Sequence, residues 1–487
     1  MNIKTLFIVF MFLSFAFTAS VHAQNSALME AQRVRQQRLE LEVQKVMDLK
    51  QSMSQRLLWD WGGSERFMFL TYDDIDNERV SDKRRTQRTN NFYLWGSLNL
   101  DDIHSFYVRF RGQHIDWNDG DRYRSTENQF KWNPEEGFDQ GTYSLSIDKA
   151  LKKYLNYDMP FQMKVVAGRF RSSIGSQLAY TKRANGVQLE GSSKLIDYKL
   201  FAFKNLIDEE NIDFSTPGFR SSRRFFYGAE MRYKGFKRHL PYLFALIQED
   251  HSGENIEDVD QDYGYDSKYY GIGSRGKFTE NLFYTIEGIM QGGRSFPQAA
   301  VARGYSPGNE RIEAWAFDST LTYQFNKVTQ PMFIAEYAFG SGDPHRIGRV
   351  TNTTGGGNKE GTTDRNFLTF GYIDTGLTLA ARISNLRMVK LGFSFTPTEL
   401  LKNSKNNKVT VGVNYFIFNK DEKLGAISDS RADNPVRNLG KEFDVNITWQ
   451  ILSDLSASIN YGRFYPGNAY SDKDARDFVM ATIMFQF

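Results

Sequence analysis

From about residue 65 to the C-terminus, apolar and polar residues alternate with a period of two. Phe443, Val445, Ile447, Trp449 and Ile451 alternate with Asp444, Asn446, Thr448 and Gln450. Val409, Val411, Val413, Tyr415 and Ile417 oppose Thr410, Gly412, Asn414 and Phe416. Trp315, Phe317, Leu321, Tyr323 and Phe325 oppose Asp318, Thr320, Thr322 and Gln324, and Tyr143, Leu145 and Ile147 oppose Thr142, Ser144, Ser146 and Asp148. Successive side chains of a strand point to opposite faces, so each segment is a strand with one apolar and one polar face. The pattern predicts 18 strands, at 65–72, 91–100, 105–114, 140–149, 161–170, 185–191, 195–204, 225–234, 240–249, 268–277, 281–291, 312–325, 331–340, 386–396, 408–418, 442–452, 455–464 and 478–487.

The connections alternate in length. Short ones fall at 101–104, 191–194, 278–281, 326–330 and 452–455, and long ones at 73–90, 115–139, 205–224, 250–267, 292–311, 341–385 and 419–441. A soluble sandwich has no reason to alternate this way, whereas an outer-membrane barrel has short periplasmic turns and long outer loops. The expected fold is all-β, an 18-stranded antiparallel transmembrane β-barrel over residues 61–487 with both termini periplasmic. Closure satisfies every backbone group without water, the condition for crossing lipid. The last strand carries Val479, Ala481, Ile483, Phe485 and Phe487 on one face, and a terminal aromatic is what such barrels present to the barrel assembly machinery. In a soluble protein it would be a poorly protected edge.

Residues 25–58 follow a different rule. Gln, Glu, Arg and Leu dominate, and Leu39, Val43, Val46, Met53 and Leu57 recur at helical spacing, predicting a short N-terminal amphipathic helix within residues 24–60. Its heptads break at Lys50 and Arg56, against a long coiled coil. A solvated periplasmic helix, an oligomerisation helix, a barrel plug and a dock for a periplasmic partner all fit this segment. Upstream, Lys4, the apolar run Leu6 to Phe17 and Val21-His22-Ala23 read as a secretory signal peptide over residues 1–23, so the mature chain is expected to begin at Gln24.

Composition narrows function by exclusion. The 487 residues carry a net charge of +3, too balanced for a nucleic-acid binder, and no cysteine, which excludes Cys-based zinc, iron–sulfur and haem attachment. An aromatic share of 15% suits the girdles of a membrane barrel. Asp258-Val259-Asp260-Gln261-Asp262-Tyr263-Gly264 fails as a calcium loop, because its Gly sits one place late and position twelve is Tyr269. The histidines show no Ser-His-carboxylate arrangement, so neither an enzyme nor a bound cofactor is expected.

Gly440-Lys441-Glu442-Phe443-Asp444, followed by Tyr461-Gly462-Arg463-Phe464-Tyr465-Pro466-Gly467, resembles the C-terminal signature of the alginate export porin family. Ala335-Glu336-Tyr337-Ala338 before Gly340-Ser341-Gly342-Asp343 is similar to that family's strand and Ser-Gly-Asp loop. Gly371-Tyr372-Ile373-Asp374, Asn385-Leu386-Arg387 and Phe395-Thr396-Pro397 keep the family's order and spacing. Gly168-Arg169-Phe170 with Gly175, Arg183 and Val187 resembles a further segment, departing from it at Phe170 and Asn185. The resemblance covers about residues 60–487 and implies an 18-stranded porin that passes an anionic polysaccharide outward. It also places Arg169 and Arg183 among the substrate-path residues.

Polyuronates carry one carboxylate per sugar, which the planar fork of Arg pairs with in two places and Lys meets as a point charge. Strand parity puts Tyr107, Arg109, Arg111, Lys164, Arg232, Arg275 and Lys390 in the lumen, together with Glu190, Glu230, Glu287, Glu336 and Asp318. These cations are either a path for acidic solutes or half of cross-pairs that stiffen the wall. The loop 341–385, with Gly355-Gly356-Gly357 and charges at Asp343, His345, Arg346, Arg349 and Arg365, either sets a constriction or is a solvated surface loop. Arg79 to Arg88 is expected in an outer loop able to meet lipopolysaccharide or polymer. The expected function is an outer-membrane channel for anionic polysaccharide or small acidic solutes. A general or sugar-uptake porin and a structural barrel for a periplasmic protein are the alternatives.

Overall fold

The alternating segments form a single ring. The computed structural model describes residues 59–73, 84–118, 137–206, 223–251, 265–295, 310–346, 358–359, 361–400, 408–429 and 431–487. In chain order the strands are β1 Trp59–Asp73, β2 Arg84–Leu100, β3 His104–Trp117, β4 Phe138–Ser146, β5 Gln162–Ile174, β6 Tyr180–Ser192, β7 Ile196–Asn205, β8 Arg224–Tyr233 and β9 His239–Asp250. They continue as β10 Asp266–Lys277, β11 Leu282–Ser295, β12 Glu310–Gln324, β13 Met332–Gly340, β14 Leu386–Phe395, β15 Lys408–Lys420, β16 Asn438–Gln450, β17 Leu455–Pro466 and β18 Arg476–Gln486. Each pairs antiparallel with its sequence neighbours, and β18 pairs with β1. All 18 strands therefore close into a barrel with no free edge. The expected signal peptide, the expected N-terminal helix and the 258–264 segment lie outside the described residues.

The seam shows what the last residue does. Gly63 N–H donates to the Phe487 carbonyl at 2.9 Å and Phe487 N–H donates back to Gly63 at 3.0 Å. A Cβ at Gly62 would stand 2.6 Å from the Phe487 carbonyl oxygen, and one at Gly63 would stand 2.5 Å from its ring. Two consecutive glycines thus let the C-terminal aromatic close the ring. The outer face carries Phe67, Phe69, Phe106, Phe110, Ile272, Met290, Ile459 and Ile483 exposed. In water such a wall would aggregate, but against lipid tails it is the stable surface. Trp59, Trp61, Tyr233, Tyr323, Phe325 and Trp449 are exposed at the strand ends joined by short turns, as an interfacial girdle.

The structure departs from the strand pattern in four places. β4 stops at Ser146, and the residues expected to extend it begin the helix α1, Ile147–Leu155. Asp148 in its first turn and Lys152 and Lys153 in its last suit the helix dipole, and left-handed Asn156 closes it by donating its N–H to Leu151. Residues 84–88, expected in an outer loop, are the start of β2, where Arg84 pairs with Asp73 at 3.4 Å. β1 begins at Trp59, where a helix was expected to end. Finally β5 and β6 are longer than expected, and only residues 175–179 connect them, so this connection is shorter than the pattern implies.

That last departure changes the interior. β4 meets β5 only from Gly141↔Arg169 downward, and β7 meets β6 only from Asn205↔Ala184. Beyond those points residues 170–183 keep each other as strand partners and leave the wall, with the tip bending into the lumen. The described part of the 341–385 loop also folds inward. Phe367, Leu368, Phe370, Leu379 and Ile383 are buried, Thr181 N–H donates to Phe370 at 3.1 Å, and Leu368 N–H donates to Gln291 Oε1 at 3.0 Å. They pack on inward Phe203, Phe226, Phe244, Tyr269 and Phe416, so the apolar core sits inside the barrel.

Candidate functional site

The lumen begins as a set of inward side chains fixed by strand parity, and what each one touches decides its use. Several carboxylates receive backbone N–H groups of the inward-folded segments. Glu287 on β11 is fully buried; its carboxylate accepts Ser176 N–H at 2.6 Å, Ser176 Oγ at 2.8 Å and Tyr242 Oη at 2.7 Å. Glu230 on β8 accepts Gly175 N–H at 2.8 Å and is also paired with Arg232 and, at 3.8 Å, Lys199. Both carboxylates thus anchor the β5–β6 tip.

Across the lumen the same device holds the long loop. Glu442 on β16, fully buried, accepts Thr378 N–H at 2.6 Å and Leu379 N–H at 2.9 Å, while Asp444 accepts Leu377 N–H at 3.1 Å. Gly376 leads into this clasp at φ +88°, and a Cβ there would meet the Glu442 carboxylate at 2.6 Å. Lys390 on β14 stands between Glu336 at 3.4 Å and loop Asp374 at 2.9 Å. The loop therefore reaches from β16 to β6, where Phe370 bridges to Tyr180. These strands lie ten apart in sequence order and eight apart the other way round the 18-strand ring, so the loop crosses the lumen.

The expected sites separate into groups. Arg109 is only 7% exposed; it pairs with Asp139, which also takes Arg183 from the β5–β6 tip. Its guanidinium lies 5.5 Å from the Tyr93 ring centre, and Arg111, on the same face of β3, stands opposite Tyr93 in register. Asp318 faces Glu287 in register. Arg169 does not face the lumen. It stands in register with Gly141 and so with Val108, between outward Phe106 and Phe110; it donates to the Phe138 carbonyl at 2.8 Å and covers that ring. The reason is parity, since Lys164 and Val166 take the inward positions of β5 and Arg169 falls on the other face.

Towards the ends of β5 to β10 that are away from the β5–β6 tip the charges reach water. Lys164, Glu190, Lys199 and Glu230 stand opposite one another on four successive strands, an alternating ladder. Arg232 and Arg275 join them, and of these six Lys164, Glu190 and Arg275 are exposed. The group has four cations and two anions, a surplus of 4 − 2 = +2. Arg66 and Arg85, buried on the inner faces of β1 and β2, were missed in the sequence. The alternation of Ser64, Arg66 and Met68 with Phe67 and Phe69 would have found the first. Among the described residues no cluster of three His, Asp or Glu is placed to hold a metal ion.

A closed 18-stranded barrel with an apolar outer wall and a lumen narrowed by inward-folded segments is an outer-membrane channel of the porin class. By sequence, the alginate export family matches residues 215–482, just over half of the chain, and the protein belongs to that family. No curated protein matches it. Among solved structures, OccK5 (OpdH) of Pseudomonas aeruginosa is similar, with a TM-score of 0.51 and 13% identity over 88% of this chain and 98% of that one. OccK11 (OpdR) of the same organism gives a TM-score of 0.50 and 11% identity over 88% and 96%. At such identities the likeness is one of fold.

Proposed function

We propose that the channel passes anionic polysaccharide or related acidic solutes, and that it admits them through the vestibule lined by β5 to β10. The observation that carries this reading is the division of labour among charges. Glu230, Glu287, Glu442 and Asp444 are buried against backbone N–H groups, whereas Lys164 and Arg275 are exposed on the pore wall with Glu190 as the exposed anion of the same six, which leaves the vestibule its surplus of cations. A carboxylate already bonded to backbone N–H groups and closed off by them makes no direct contact with a passing solute, while an exposed cation can pair with its carboxylates. A polymer track must bind weakly at many points so that substrate also leaves, and scattered Lys and Arg meet that need.

The orientation that goes with this reading has both termini and the short turns in the periplasm. Epitope tags placed in 118–137 should be reachable on intact cells and tags in 101–103 should not; the reverse pattern would invert the channel. In planar bilayers, polyuronate added on the vestibule side should interrupt the wild-type current in discrete steps, and a neutral polysaccharide of the same length should not. Equal block by both polymers would favour a general sugar porin.

A further inference from the structure

Helix α1 has no role in the lumen. It stands at the periplasmic end of the wall, between β4 and β5, and leaves its apolar face partly unpartnered. At 100° per residue, Ile147, Ala150, Leu151, Tyr154 and Leu155 fall on one side, and Asp148, Lys149, Lys152 and Lys153 on the other. Ile147, Ala150 and Leu151 are half-buried, while Tyr154 is 61% and Leu155 70% exposed. Just beyond the helix Tyr157 is also exposed.

We propose that α1 is a membrane-surface anchor, lying in the headgroup region of the periplasmic leaflet with Tyr154 and Leu155 among the acyl chains and its charged side toward the headgroups and water. Two observations choose lipid as the occupant. First, the exposed face continues the lipid-facing wall. Strand β4 enters the helix directly, with Tyr143 outward against Phe106 at 5.0 Å between ring centres. Along the same rim stand exposed Leu195, Tyr233 and Phe236, the last two in edge contact at 5.4 Å. Second, Asp148, Lys149, Lys152 and Lys153 make the opposite side of the helix a charged face, the amphipathic division of a helix that lies in a membrane interface. Lys152 pairs with Asp158 and Lys153 with Asp101 on the polar side, which orients that side away from the tails. A basic amphipathic helix joined at both ends to lipid-facing strands cannot leave the interface without pulling on the wall.

The chain has no cysteine, so single labels report unambiguously. Leu155→Cys, Tyr154→Cys, Lys152→Cys and, as a mid-wall reference, Ile459→Cys are spin-labelled in vesicles containing phosphatidylglycerol. Collision with oxygen and with a water-soluble nickel chelate is then measured for each. Labels at 155 and 154 should collide more with oxygen, as at 459, and the label at 152 more with nickel. Nickel access at 154 and 155 equal to that at 152 would overturn the proposal, since the face would then be solvated. Loss of both collisions at 154 and 155 would overturn it as well, because protein would then cover the face. Heat-modifiable migration of each variant verifies that the barrel has folded.

Discussion

At the scale of single residues, the buried charges of this barrel are held by more than one partner. Asp429, in the loop after β15, shows how. Burial alone would raise its carboxyl, but Arg431 and Arg476 outweigh burial and hold it far below the usual carboxylate range. Arg431 Nε lies 2.9 Å and an Arg476 nitrogen 2.8 Å from its oxygens, and Tyr470 Oη donates to it at 3.1 Å. The Arg476 guanidinium is itself flanked by Phe464 at 4.5 Å and Tyr470 at 5.1 Å, so the loops after β15 and β17 are joined at the start of β18. A group whose folded pKa is depressed lends its full stability above its unfolded value, about 3.9, and loses it as pH falls toward the folded value. Asp429→Asn should therefore cost several kcal/mol, about 3–5 for a broken buried ion pair. Measured by thermal unfolding, its deficit should be constant between about pH 8 and pH 5 and shrink below about pH 4.

At the scale of elements, the strands were legible because lipid enforces period two on the outer face of every one. The inward-folded segments were not. The tip of the β5–β6 hairpin keeps the same alternation as the wall, so nothing in residues 170–183 announces that they leave it. Phe416 was read onto a polar face; the parity was right, but its apolar cover comes from a distant loop. Helix α1 was missed because Leu145 and Ile147 fit a strand as well as a first helical turn. Two segments that carried the family resemblance prove to be parts of the loop clasp, with Asp374 meeting Lys390 and Glu442 meeting the backbone of 378 and 379. In Glu442→Ala those two buried N–H groups lose their acceptor, at about 1–3 kcal/mol each. The loop should then loosen, and single-channel recordings should show larger, noisier conductance from a barrel that still folds, as heat-modifiable migration would verify. A steady wild-type conductance would mean that the loop does not narrow the path.

At the scale of the whole molecule, the formal charge of +3 says little, because position decides which charges a solute meets. The sequence placed Lys164, Glu190, Glu230, Arg232, Arg275, Glu287, Glu336 and Lys390 on the inner face by parity, and placing them was within its reach. It could not say which of them would be consumed by chain folding back into the lumen. Arg109, the natural choice from sequence, is nearly buried against Asp139, whereas Lys164 and Arg275 keep their exposure. On the proposed function, the charges that select among solutes are those of the vestibule of β5 to β10. The most direct measurement is the reversal potential of single channels in a salt gradient, for wild type and for Lys164→Glu with Arg275→Glu. Wild type should favour anions, and the double variant should shift toward cations at low salt. The shift should fade as the Debye length falls from about 10 Å at 0.1 M to about 3 Å at 1 M salt. A reversal potential unchanged by the double substitution at low salt would contradict it.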